Sequence, residues 1–123
     1  MAFSGGYVFS AVISDKIISP LQSVNPGGAE KVDWDPATKT AFVITGEYTD
    51  DKGGQVVAID YSNGYDQGVV VAEYYLEGDV SDVRVSSQGL VAASVFDRVT
   101  REGKVEFFNY ESGELISRGS VDV

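Results

Sequence analysis

Gly54-Gln55-Val56-Val57-Ala58-Ile59-Asp60-Tyr61-Ser62-Asn63-Gly64 returns 49 residues later as Gly103-Lys104-Val105-Glu106-Phe107-Phe108-Asn109-Tyr110-Glu111-Ser112-Gly113. Gly54/Gly103, Val56/Val105, Tyr61/Tyr110 and Gly64/Gly113 are identical, and the positions between them keep a strand-like apolar character. Self-similarity at this period, carried by strands and turns, is the mark of a repeat architecture such as a propeller.

Working outward, the first copy opens on Ala29 to Asp35, where Val32 and Trp34 share one face and Lys31, Asp33 and Asp35 the other, as in a half-buried strand. Asp35-Pro36-Ala37-Thr38 is a turn, because the Asp side chain caps the amides ahead of it and Pro presets φ. Ala41 to Thr45, Gln55 to Tyr61 and Val69 to Leu76 read as the next three strands, separated by a polar loop from Gly46 to Gly54 and by a turn at Asn63-Gly64. In the second copy Val83 and Val85 take the places of Val32 and Trp34, followed by strands at Leu90 to Val95, Lys104 to Tyr110 and Leu115 to Val121. Ahead of both, Tyr7 to Ser14 reads as a strand that Lys16-Ile17-Ile18 continues until Pro20 stops it, with no twin later in the chain. No long segment holds a 3.6-residue apolar period, so no helix is expected. The expected fold is all-β: two four-stranded antiparallel propeller-type blades plus an N-terminal strand, forming one unit. Residues 1–26 are its N-terminal strand and loop, 27–76 blade 1 and 77–123 blade 2. A closed barrel or sandwich of about eight to ten strands also suits this length, but does not require the repeated Gly, Val, Tyr and Gly.

With 9 Lys+Arg against 19 Asp+Glu the formal charge is −10, which repels nucleic-acid phosphates and an anionic membrane surface and suits cations or a basic partner. The 123 residues contain neither Cys nor His, which removes thiolate nucleophiles, disulfides, the usual zinc sites and the commonest general base. No stretch approaches the roughly 20 apolar residues of a membrane span, and the first residues have no signal-peptide pattern. Two open blades expose sheet edges and inner faces, and repeat proteins generally need about three or more units. The chain is therefore expected to form a homo-oligomer or to be completed by the remaining part of a larger propeller.

In a blade, the loop before the first strand and the loop between the second and third emerge on one face. That face is expected to collect Glu30, Glu47, Asp50, Asp51, Glu77, Asp79, Asp82 and Asp97. Clustered carboxylates are what Ca²⁺ needs, and Ca²⁺ is the one cofactor this set suits, although Asp50 to Gly54 lacks the alternating order of a calcium loop. Arg98 and Arg101 share a polar loop and more simply neutralise Asp97 and Glu102. Tyr48 and Tyr65 sit in loops as candidates for stacking on a carbohydrate or protein ligand, whereas Trp34 reads as core.

Gly27 to Lys39 followed by Ala41 to Thr45 resembles the start of the choice-of-anchor propellers related to mesenchyme-specific cell-surface glycoproteins. Val80 to Val85, Gly89 to Ala93 and Gly103 to Asn109 are similar to that family's second blade. The resemblance implies an extracellular or cell-surface propeller without established catalytic residues. The resulting expectation is a non-enzymatic extracellular binding or structural module that self-assembles or completes a propeller. The alternative is a calcium-dependent propeller hydrolase, phytase- or esterase-like, which requires the acidic loops to converge on metal.

Overall fold

The computed structural model describes residues 2–4, 7–14, 17–24, 30–45 and 54–123. Its strands are β1 (Ala2–Ser4), β2 (Tyr7–Ser14), β3 (Ile17–Val24), β4 (Lys31–Asp35), β5 (Thr40–Thr45), β6 (Gln55–Asp60), β7 (Val69–Tyr75), β8 (Asp79–Val85), β9 (Leu90–Asp97), β10 (Glu102–Glu111) and β11 (Glu114–Asp122). They form three antiparallel meanders, β1-β2-β3, β4-β5-β6-β7 and β8-β9-β10-β11. The two four-stranded sheets are the two copies of the repeat, and no helix occurs among the described residues.

Burial follows from the position of each strand. β5 and most of β6 are buried on both faces, so they read as continuous apolar runs, Ala41-Phe42-Val43-Ile44, bounded by the buried Thr40 and Thr45, and Val56-Val57-Ala58-Ile59. β7 lies at the sheet edge and alternates exposed with half-buried residues. One face of the middle sheet, with Phe42, Ile44, Val56 and Ala58, packs against Val83, Val91, Ala93, Val95 and Phe108 of the last sheet. Tyr110 closes edge-on over Phe42 at 5.3 Å, and Tyr74 over Phe108 at 4.8 Å. The opposite face, with Ala41, Val43, Val57, Ile59 and Tyr61, forms a second cluster with Val32, Trp34 and Val70. A fully buried residue such as Phe42 contributes roughly 1.5–3 kcal/mol by leaving water.

β8 packs on β4 and β5, so the innermost strands of successive blades lie side by side. One bond fixes their offset. Asp33 on β4 accepts the Val85 amide through Oδ2 at 2.8 Å while its Oδ1 accepts its neighbour's amide, Trp34 N–H, at 2.9 Å. β8 is the edge of its sheet, and the Asp33 carboxylate occupies one of the amides left unpaired there.

The N-terminal segment differs from its sequence reading. It is three strands rather than one, and Pro20 lies inside β3. It also has a twin, visible in the strand registers. Ser4↔Tyr7, Phe3↔Val8 and Ala2↔Phe9 repeat Thr45↔Gln55, Ile44↔Val56 and Val43↔Val57, and again Val95↔Lys104, Ser94↔Val105 and Ala93↔Glu106. The outer pairing carries a bulge at the same place in all three sheets. Ser10↔Gln22 steps to Ala11↔Pro20, Ala58↔Ala72 to Ile59↔Val70, and Phe107↔Gly119 to Phe108↔Ser117, each passing over one residue. A bulge is where a strand tolerates a proline, because the ladder there is already interrupted, so Pro20 does not end β3. β1, β2 and β3 thus correspond to the second, third and fourth strands of a blade. The matching sequence signal is faint: Gly6-Tyr7-Val8 recurs as Gly54-Gln55-Val56 and Gly103-Lys104-Val105, and little else is shared.

Candidate functional site

The connection from β7 to β8 and the loop from β9 to β10 emerge at one end of the sheets. The Gly54 amide donates to Gly78 O at 2.8 Å and Leu76 N–H donates to Gly54 O at 2.9 Å, which ties the start of β6 to the passage between the blades. No side chain fits at Gly54, where a Cβ would stand 2.8 Å from Thr45 O and from Val80 Cγ2. At this end Glu77, Asp97, Thr100, Glu102, Lys104 and Asp122 line a cleft of about 150 Å³. Among the described residues Lys104 is its one cation, and Lys104 Nζ is held 3.6 Å from Glu106 Oε1 between the blades.

Of the expected acidic set, Glu77, Asp79 and Asp97 do come to this end, each with a different task. Asp97 Oδ1 accepts the amides of Val99 at 2.8 Å and Thr100 at 3.2 Å and so shapes the loop, in which Arg101 adopts φ 59°. Asp79 Oδ2 accepts from Arg98 Nε, while its Oδ1 is buried without a hydrogen-bond partner among the described residues. Asp82 lies within β8, away from the loops, where it accepts the Val83 amide at 2.9 Å and faces Arg84 at 3.5 Å. Glu30 is exposed just before β4, and its amide donates to Ile44 O at 2.9 Å. Glu47, Tyr48, Asp50 and Asp51 lie outside the described residues. Among the described residues no group of three or more carboxylates converges as a metal site.

The opposite end carries the β4–β5 turn. Asp35 is buried and caps it as its sequence indicates, accepting Ala37 N–H at 3.0 Å and Thr38 Oγ1 at 2.9 Å. Between this turn and the second blade, Asp35, Thr38, Ser87, Gln88, Tyr110 and Glu111 border a wider cleft of about 330 Å³. Burial pushes the Tyr110 hydroxyl above its ordinary value; a hydrogen bond with Thr40 opposes this and the Asp60 charge adds to it.

Tyr65, the candidate stacking residue within the described part, is 51% exposed, and its ring lies 6.1 Å from that of Trp34. Trp34 in turn meets the buried Tyr61 edge-on at 5.9 Å. Trp34 therefore joins the core to an aromatic surface. Tyr61 is the residue that sequence reasoning passed over: it is fully buried, its hydroxyl has no partner among the described residues, and burial raises its pKa. Its ring lies so close over Gly68 that a Cβ there would meet it within 3.0 Å. The only signal for it was its recurrence as Tyr110.

Chemically, the described part offers an acidic cleft with one neutralised lysine and an aromatic surface. Six of its carboxylates, Asp33, Asp35, Asp60, Asp79, Asp82 and Asp97, are engaged in accepting backbone amides or pairing with arginine. No family model matches the sequence, so the resemblance to the choice-of-anchor proteins gains no support there. No curated protein matches it either. The structure is similar to a crystal structure from Bacteroides fragilis NCTC 9343 described as a "putative 6-phosphogluconolactonase", with TM-score 0.74 and 13% identity. The similarity covers 97% of this chain and 34% of that one, so the chain spans about a third of its neighbour's length. At this identity the likeness establishes the fold alone: the chain has a β-propeller-type fold of the size of part of a ring.

Proposed function

We propose that the chain is a ring segment of a β-propeller, a non-enzymatic binding or structural module whose last blade is covered either by further copies of itself or by the rest of a larger propeller. In this reading it serves at the cell surface, as the choice-of-anchor resemblance implies, with the aromatic surface around Tyr65 taking a carbohydrate or protein ligand.

The observation that carries this reading is the outward face of the last sheet. By register Ala92, Ser94, Val105 and Phe107 hold the positions of Phe42, Ile44, Val56 and Ala58. The large and small members of one cross-strand pair are exchanged, Phe42 with Ala58 becoming Ala92 with Phe107, so a comparable volume is presented. The four residues of the middle sheet are fully buried by the next blade. Their counterparts are only half-buried, beside Phe96 at 45% and Val121 at 58% exposure. Light scattering tests the proposal. A particle of several times 13.2 kDa that Phe107→Glu reduces to a folded 13.2 kDa species is the expected result. A native chain that is already a well-folded monomer, with Phe107→Glu changing neither its mass nor its binding of added surfaces, would refute it.

A further inference from the structure

The wider cleft beside the β4–β5 turn is walled by three turns whose backbones are already fixed. In the first, Tyr61 N–H donates to Lys39 O at 2.8 Å, and Asp35 caps the residues between. In the second, Ser86 Oγ accepts the amides of Gln88 at 3.2 Å and Leu90 at 3.1 Å, while Ser86 O accepts Gly89 N–H at 3.0 Å. The third joins β10 to β11 through Ser112 and Gly113 at φ 52° and 78°, a two-residue hairpin turn with both central residues left-handed. The first wall belongs to the middle sheet and the other two to the last sheet, and the Tyr110 hydroxyl bonds across to Thr40. The cleft is thus formed within the chain, independent of what covers the last sheet.

We propose that this cleft binds a small neutral polyhydroxyl compound, a sugar or sugar alcohol, held by hydrogen bonds to its hydroxyl groups. The site is separate from the aromatic surface at Tyr65, and the proposal stands apart from the ring-segment reading.

The volume of about 330 Å³ lies at the small end of the range of about 300–1,000 Å³ for small-molecule sites. The lining then decides the class of ligand. Apart from Ala37, Gly89 and the ring of Tyr110 it is polar, so an apolar ligand would strip water from these groups and give nothing back. No Lys or Arg borders the cleft, whereas Asp35 and Glu111 do, which disfavours phosphate and carboxylate ligands. Among the described residues no group of three carboxylates stands ready for a divalent cation. An ammonium ligand offers donors alone, but the side-chain amides of Gln88 and Asn109 present donors as well as acceptors. A hydroxyl group is both at once and matches this mixed lining. Asp35 adds a specific demand. It is 4% exposed, makes no ion pair among the described residues, and accepts one bond on each oxygen, from Ala37 N–H and Thr38 Oγ1. A carboxylate has about four lone-pair sites, so acceptor capacity remains for a ligand hydroxyl. Because the three turns are held by their own hydrogen bonds, little ordering opposes binding.

The test is titration of the full chain with glucose, galactose and mannose, followed by proton–nitrogen correlation NMR, with putrescine as a cationic probe. Each is taken to about 100 mM, which covers dissociation constants in the millimolar range. The expected result is saturable shifts from at least one hexose, confined to the backbone amides of residues 37, 38 and 87–89 and the side-chain amides of Gln88 and Asn109. Gln88→Ala, at an exposed turn position, should weaken that binding about fivefold through the loss of its hydrogen bonds. Glu111→Gln keeps an acceptor and removes the charge, so hexose binding should survive it. Four outcomes overturn the proposal: no saturable shift with any of the three hexoses, no effect of Gln88→Ala, saturation by putrescine alone with loss in Glu111→Gln, or hexose shifts centred on Tyr65. The last would place the sugar on the aromatic surface instead, and the solution mass of the same samples reports separately on ring building.

Discussion

Two residues show how side chains outside any regular pattern hold the blades. Tyr61 is buried with an unpartnered hydroxyl, an arrangement that costs about 1–3 kcal/mol in desolvation. Tyr61→Phe keeps the ring against Trp34 and removes that cost, so it should raise stability by about 1 kcal/mol at neutral pH in urea unfolding. The pH dependence has a definite sign. The folded-state pKa of Tyr61 lies above its unfolded value, so its contribution is intact below the ordinary tyrosine pKa of about 10 and is lost as pH rises through the folded value. The native chain should therefore lose stability above about pH 10, less steeply in Tyr61→Phe, with Tyr110 supplying the remaining slope in the same direction. Asp33 is the second such residue. Asp33→Ala leaves the Val85 amide without its partner and should cost about 1–3 kcal/mol, whereas Asp33→Asn retains an acceptor and should cost less. Neither role was legible from sequence: Asp33 reads as a solvated strand position, and its partner lies 52 residues away.

The repeated glycine shows how the same element acquires different constraints in different blades. Gly54, just before β6, and Gly103, within β10, hold equivalent places: each precedes the matched pairs Gln55↔Thr45 and Lys104↔Val95. Gly54 abuts the next blade, where a Cβ would come within 2.8 Å of backbone and of Val80, so Gly54→Ala should cost about 1–3 kcal/mol through overpacking. Gly103 meets nothing nearer than Val123 Cγ2 at 3.4 Å, so Gly103→Ala should be close to neutral in thermal unfolding of the isolated chain. If the last sheet is covered in an assembly, the same substitution should lower particle stability, and comparing the two states measures that coverage. The strands themselves were legible in sequence because alternation and turn residues act locally, as at Asp35 to Thr38. The N-terminal sheet was not, because a proline inside a strand reads as a stop unless the bulge is known, and the bulge belongs to the pairing of two strands.

At the scale of the whole molecule, the two faces of a blade that share a repeat position differ in what covers them. Val56 is fully buried between blades and Val105 is half-buried on the open face. Val56→Ala should therefore cost about 2 kcal/mol in the isolated chain, and Val105→Ala distinctly less. A comparable loss at both sites would mean that the last sheet is already covered in solution. By itself the sequence determined the all-β class, the two four-stranded copies and their turn chemistry, because period, alternation and turn residues are properties of neighbouring positions. Tertiary structure alone decided the rest. It made a third sheet of the same strand order from the N-terminal segment, bound β8 through Asp33, gave Asp79, Asp82 and Asp97 separate tasks and left one sheet face open. Each of these depends on which distant strands meet, and local residue patterns do not encode that.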